Sequence, residues 1–181
     1  MLVWDVFFSL YIPDQERTLW IVDVSSSMGI EDISTNNPNV MMSRMDLAKS
    51  IMSASFSGET AIMTYARHAN MILPFTSDID QARRYTAWIQ GVQAYGWSSI
   101  TSAFDLIGIL YGKGVIPLHI ILISDGWNAS ESLEMRYLPS FSRLSVIGIG
   151  SKEGGMIPLG YNALGERRYK MYQWEYIRVP I

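Results

Sequence analysis

Two uninterrupted apolar runs, each ending on an aspartate, constrain this chain more than anything else in it. Leu19-Trp20-Ile21-Val22 leads into Asp23, and residues 118–124 (LHIILIS) lead into Asp125. Short apolar runs without polar alternation predict strands buried on both faces. Such strands belong to a parallel sheet covered by helices on both sides. In an open sheet of that kind, ligands bind outside the carboxyl ends of the strands, where the topology changes direction. Both acids fall at such ends.

The rest of the chain supplies the helices and the remaining strands. Ser43 predicts the cap of a helix whose inner face is Met45, Ala48, Met52 and Phe56, ended by the SGE of residues 57–59. Residues 60–66 and 69–75 read as two strands around an Arg67-His68 turn. Ser77 or Asp78 starts a second helix, with Ile79, Ala82, Tyr85, Ile89 and Val92 on one side. After a break at 94–99, a third helix points Ile100, Ala103, Ile107 and Leu110 inward. Residues 34–39 read as a polar loop, 129–138 as a short helix, and 144–150 as a further buried strand. The predicted fold is a single α/β domain with a Rossmann-like, open, mostly parallel sheet. Within it, 1–17 is read as an N-terminal extension and 18–160 as the domain proper. Residues 161–181, rich in aromatics, are read as a C-terminal strand or hairpin extension.

Composition narrows the function classes. The 181 residues are 49% hydrophobic, enough for a real core. The formal net charge of −3 gives no basic footprint for nucleic acid. Without cysteine there are neither disulfides nor thiolate metal sites. The two histidines, His68 and His119, read as a turn residue and a strand residue, and their count argues against a histidine-rich metal site. The apolar N-terminus lacks the basic region and cleavage site of a signal peptide and is too short for a bilayer span. The chain as given therefore reads as soluble, with no membrane span. It would be cytoplasmic, or periplasmic and membrane-associated as part of a longer protein.

Each acid follows a central strand, so the two can face one another across a crevice at the strand ends, and two carboxylates there repel unless positive charge lies between them. No lysine or arginine adjoins either one in sequence, so a divalent cation is expected to fill the gap. Asp23, Ser25 and Ser27 form D-x-S-x-S, and alternate residues of a tight loop can point to one centre. Carboxylates and hydroxyls are hard oxygen ligands, suited to Mg²⁺, with Ca²⁺ and Mn²⁺ as alternatives. Arg44, Asp46 and Lys49 read as a solvated helix face with an Asp46–Lys49 pair. Glu31 and Asp32 lie well past Ser27 and read as solvent-facing. Neither G-x-S-x-G nor G-x-x-x-x-G-K-[ST] is present, and no convincing base stands near the loops. A metal-dependent hydrolase is therefore the minor alternative. The other is a structural interaction domain with a decayed site, in which Asp23 merely bonds backbone amides of a serine-rich loop.

With these residues in place, the sequence resembles the von Willebrand factor A domain and its metal-ion-dependent adhesion site. That family uses D-x-S-x-S, a threonine on a later loop, and the aspartate of T-D-G. Here the residues are Asp23, Ser25 and Ser27, then Asp125 in Ser124-Asp125-Gly126. Where family members often read G-G-T, this chain reads Gly96-Trp97-Ser98, which assigns the third-loop role to Ser98, with Thr101 as the fallback. The segments MGIEDI, SRMDLAKSIM, GETAIMTYARHANMILPFTSDIDQ and SVIGIGSKEGGMIPL resemble the bacterial Bat, or aerotolerance-type, group that accompanies MoxR ATPases. The resemblance covers about residues 18–160. It implies a non-enzymatic module that binds protein through a metal, the partner's carboxylate completing the shell. It further implies an adaptor role in a MoxR-type AAA+ chaperone, assembly or envelope-stress system.

Overall fold

The computed structural model describes residues 17–37, 40–90, 98–112, 118–126, 142–172, 175–176 and 178–179. Strand β1 (Arg17–Asp23) is the middle of a five-stranded sheet. After it come a 3₁₀ turn (Ser26–Gly29), β2 (Glu31–Ser34), β3 (Met41–Ser43), α1 (Arg44–Ser55), β4 (Thr60–Tyr65) and β5 (Ala69–Thr76). Then follow α2 (Ile79–Trp88), α3 (Ile100–Tyr111), β6 (Leu118–Ser124) and β7 (Arg143–Gly148). The sheet order is β5-β4-β1-β6-β7. β1 is parallel to both neighbours, with Thr18 opposite Thr60 and Val22 opposite Ile123. β6 and β7 are parallel, and β4 and β5 form an antiparallel hairpin. The chain is thus an α/β fold with a mostly parallel sheet, as the sequence predicts.

Apolar residues on both faces of the central strands explain this arrangement. Trp20 and Val22 face α1 and α2 and pack with Met45, Ala48, Met52, Phe56, Ala82 and Ile89. Leu19 and Ile21 face the other way, onto Ala103, Phe104 and Ile107 of α3. Each fully buried side chain of this size contributes about 1.5–3 kcal/mol relative to exposure. Capping fixes the helix starts. Ser43 Oγ accepts from Asp46 N at 3.0 Å, and Asp78 Oδ1 from Gln81 N at 2.9 Å.

Two expectations about the elements themselves are corrected. Leu110 is 47% exposed, and the inner stripe of α3 continues through Phe104 and Tyr111 instead. The helix is apolar nearly all round, so periodicity could not choose between residues 110 and 111. β7 is not a fully buried strand; it lies at the sheet edge, with Val146 63% exposed. The expected polar loop at 34–39 follows a short strand, β2, that pairs with β3, and Thr35 Oγ1 donates to Val40 O at 2.7 Å; Pro38 and Asn39 lie outside the described residues. Val92 and the expected helix at 129–138 lie outside the described residues.

At the opposite sheet edge, β5 carries Pro74 beside an irregularity in its pairing with β4. Beyond β7 come β8 (Gly155–Met156), β9 (Pro158–Tyr161), β10 (Arg167–Tyr169), β11 (Met171–Tyr172), β12 (Glu175–Tyr176) and β13 (Arg178–Val179). β9 pairs with β10, β11 with β12, and β13 returns to β8, all antiparallel. This segment packs tightly on the loop after β1. A Cβ on Gly155 would lie 2.1 Å from Ile30 Cγ2, and one on Gly29 would lie 3.3 Å from Pro158 Cγ.

Candidate metal centre

The connection after β1 leads through α1 to β4 on one side, while β6 lies on the other. The direction of winding therefore changes between β1 and β6, and Asp23 and Asp125 sit at that switch point. Asp23 Oδ1 accepts from Ser25 N at 2.8 Å; Oδ2 accepts from Ser124 Oγ at 2.9 Å and Tyr65 Oη at 3.3 Å. The 3₁₀ turn is closed by Met28 N to Ser25 O (3.1 Å) and Ile30 N to Ser27 O (3.0 Å). It brings alternate side chains together, with Ser25 Oγ and Ser27 Oγ 2.9 Å apart. Asp23, Ser27 and Asp125 are buried, and Ser25 and Ser98 nearly so.

Burial pushes the Asp23 carboxyl above its usual range; the bonds from Ser25 and Ser124 oppose this and the charge of Asp125 adds to it. Burial also raises the Tyr65 hydroxyl, reinforced by the Asp23 charge, so Tyr65 remains a donor. Ser98 lies just before α3. Its neighbour Ser99 donates N–H to Ala66 O at 2.8 Å, holding that segment at the end of β4. Among the described residues Ser98 forms no hydrogen bond to the other four candidates, and Thr101 lies in the first turn of α3, half-buried. Trp97 and Trp127 are outside the described residues.

The largest correction concerns Arg44, expected on a solvated helix face. It is fully buried, and its Nη1 donates to Asp125 Oδ2 at 2.9 Å. On its other side, Nε donates to Asp32 Oδ1 and Oδ2 at 3.0 and 3.2 Å, and Nη2 to Asp32 Oδ2 at 2.6 Å. Asp32 is therefore not solvent-facing; Ser151 N and Oγ also donate to its Oδ2, each at 3.1 Å. Burial alone would raise the Asp32 carboxyl, but Arg44 and Ser151 hold it below its usual range. Burial likewise disfavours the Arg44 charge, and the two carboxylates overcome it. Glu31 is exposed and pairs with Arg167. Asp46 bonds Ser43, and Lys49 Nζ reaches Ala87 O at 3.4 Å rather than Asp46.

Sequence adjacency hid Arg44, because 81 residues separate it from Asp125. One signal pointed to it. A cation in the first turn of a helix opposes the macrodipole, so anions are needed nearby. Ser124 and Tyr65 were also missed; each ends the strand next to β1, and Tyr65 is in register with Asp23.

The donor set fits a hard divalent cation. Among the described residues, the buried charged groups are Asp23, Asp32, Asp125 and Arg44, all at this end of the sheet. With the acids ionised, negative charge exceeds positive by two, the charge of one such ion. Residues Asp23, Ser25, Ser27 and Asp125 would hold it, with Ser98 beside them, and the ion would supply an open position for an oxygen ligand.

No family model and no curated protein matches the sequence. Solved structures do. BatB from Bacteroides thetaiotaomicron superposes with a TM-score of 0.72 at 21% identity, covering 91% of this chain and 80% of that one. An aerotolerance-related membrane protein from Bacteroides fragilis gives 0.69 at 21% identity, covering 91% and 82%. Proximal thread matrix protein 1 from the mussel byssus, in a structure with a zinc-occupied MIDAS motif, gives 0.55 at 19% identity, covering 76% and 36%. At these identities the likeness speaks for the fold. This chain has the von Willebrand factor A fold, in the form also seen in the Bat-type structures.

Proposed function

We propose that this chain is a non-enzymatic, divalent-metal-dependent protein-binding module. Asp23, Ser25, Ser27 and Asp125 hold Mg²⁺, with Ser98 completing the protein side. The ion keeps one position for a carboxylate from the partner. The observation that carries this reading is the Ser25–Ser27 hydroxyl pair, 2.9 Å apart beside two buried carboxylates at the switch point. Neutral hydroxyls leave positive charge on the ion, which favours an incoming anion over a water. The zinc in the mussel protein's MIDAS motif supports metal binding on this fold. The resemblance of the sequence to the Bat group is the ground for reading the partner as part of a MoxR-type AAA+ assembly or envelope-stress system.

A second reading has its own support. Asp23 already bonds the Ser25 amide, and Arg44 already compensates Asp125. In that reading the loop is a metal-free scaffold and the partner binds elsewhere. The two are separated by capturing the partner AAA+ protein in millimolar Mg²⁺ and in EDTA. Release by EDTA, and loss of capture in Ser25→Ala/Ser27→Ala, are expected. Capture indifferent to EDTA sinks the metal-dependent reading.

A further inference from the structure

The loop that carries Ser25 and Ser27 runs on beneath the C-terminal segment, and there it walls a cavity of about 200 Å³. Residues 29–31 form one side, and residues 154–156 and the β9–β10 pair form the rest. Gly29, Gly154 and Gly155 carry no side chain, so backbone makes part of the wall and a ligand can approach it closely. Gly154 N donates to Ser151 O at 3.1 Å, and Ser151 in turn holds Asp32, which fixes this wall before anything binds. Arg167 and Glu31 meet at the cavity. Their two mutual bonds use two of the five guanidinium N–H groups and one lone pair on each Glu31 oxygen. Among the described residues, nothing takes the other three N–H groups or the other lone pairs.

We propose that this cavity is a carboxamide subsite, which takes an Asn or Gln side chain of the partner two residues away from the acid that completes the metal shell. The inference rests on the metal-dependent reading above and extends it to a second contact. The charge of the wall selects the group. The Glu31–Arg167 pair is neutral as a whole, so an incoming anion gains from Arg167 and loses to Glu31, and a cation does the reverse. A carboxamide both donates and accepts, and it gains from each. Size selects the kind of partner. Pockets for free small molecules run to about 300–1,000 Å³, whereas this one suits a single side chain of a larger molecule. Spacing sets the motif. Gly29 follows Ser27 by two residues, so their Cα atoms lie within about 7.6 Å. In an extended segment, side chains two residues apart share a face and are separated by about 6.6–6.8 Å. The recognised element is therefore an acid and an amide with one residue between them.

The test uses the full chain, labelled with ¹⁵N, and the peptides Gly-Asp-Gly-X-Gly and Gly-X-Gly-Asp-Gly, acetylated and capped as methylamides, with X as Gln, Ala, Glu or Lys. Amide shifts are followed in millimolar Mg²⁺ and in EDTA, in wild type and in Glu31→Ala/Arg167→Ala. The double variant removes both charges of a partly exposed pair together, and near-ultraviolet circular dichroism checks its fold. In Mg²⁺, a Gln peptide should bind wild type about fivefold more tightly than its Ala counterpart and should move the amides of Gly29 and Gly155. Glu and Lys should gain nothing over Ala, and the preference for Gln should vanish in the double variant. Equal affinity for the Gln and Ala peptides, or a preference that survives in the variant, overturns the subsite and leaves the metal-dependent reading standing. If no peptide binds in Mg²⁺, that reading falls, and propionamide titrated in EDTA judges the cavity alone. Shifts at Gly155 that need the Glu31–Arg167 pair would keep it as a carboxamide site, and their absence would sink it.

Discussion

Ser124 donates its hydroxyl to Asp23 Oδ2 over 2.9 Å and so ties together the carboxyl ends of β1 and β6. The bond crosses the switch point of the sheet, and it is charge-assisted when Asp23 is ionised. Ser124→Ala leaves that oxygen with only the longer bond from Tyr65. Urea unfolding without metal should show a loss of about 1–3 kcal/mol.

Replacing Asp23 itself separates binding from folding. Asp23→Asn removes a carboxylate disfavoured by burial and by Asp125, but also weakens the bonds it accepts. These opposing changes should keep metal-free stability within about 1 kcal/mol of wild type. Mn²⁺ affinity should nevertheless drop by at least about tenfold. Equal Mn²⁺ affinity in the two proteins would remove Asp23 from the centre.

Arg44→Ala is expected to be far more damaging. It strips two buried carboxylates of their shared cation and leaves a cavity at the start of α1. Truncating one partner of a buried ion pair costs about 3–5 kcal/mol, measurable by urea unfolding in EDTA. A loss of less than about 1 kcal/mol would mean that the acids find other compensation.

The loop after β1 should tolerate no added methyl beneath the C-terminal segment. Gly155→Ala would place Cβ 2.1 Å from Ile30 Cγ2, and Ile30 is buried and stiff at its branched Cβ. Overpacking of this kind costs about 1–3 kcal/mol. Gly165→Ala gives a useful contrast: nothing lies near its Cβ, and only the positive φ of 78° resists it.

Acid should release one link between the β2–β3 pair and the C-terminal segment. Arg167 donates to both Glu31 oxygens, at 2.6 and 2.7 Å, and these bonds hold the Glu31 carboxyl below its ordinary 4.5. A lowered pKa means that the pair's contribution is fully present above the unfolded value and is lost as pH falls through the folded one. Both side chains are partly solvated, so the pair is worth at most about 1 kcal/mol. Wild type should melt slightly above Glu31→Gln at neutral pH, and the gap should close as acid protonates Glu31 in the folded state, below its ordinary range. A gap that persists in acid would assign the effect to packing.

Much of this molecule was legible because its signals are local. The runs at 19–22 and 118–124 become β1 and β6, and Met45, Ala48, Met52 and Phe56 are all buried along α1. Ser25 and Ser27 meet because a single turn joins them. What escaped is what only folding brings together. Arg44 reaches Asp125, Asp32 reaches Ser151, and Glu31 reaches Arg167 across 81, 119 and 136 residues. The β2–β3 pair escaped for another reason: its strands are too short for a period of two to register.

Pro74 has a consequence for how copies of this protein can meet. An edge strand presents a row of unmatched amides that invites another chain to join the sheet. In β5 that row is broken, since proline has no N–H to give, and the irregular pairing beside it bends the strand. Lateral growth along β5 is therefore interrupted at Pro74, and a second copy joining this edge would meet a break in the middle of its template.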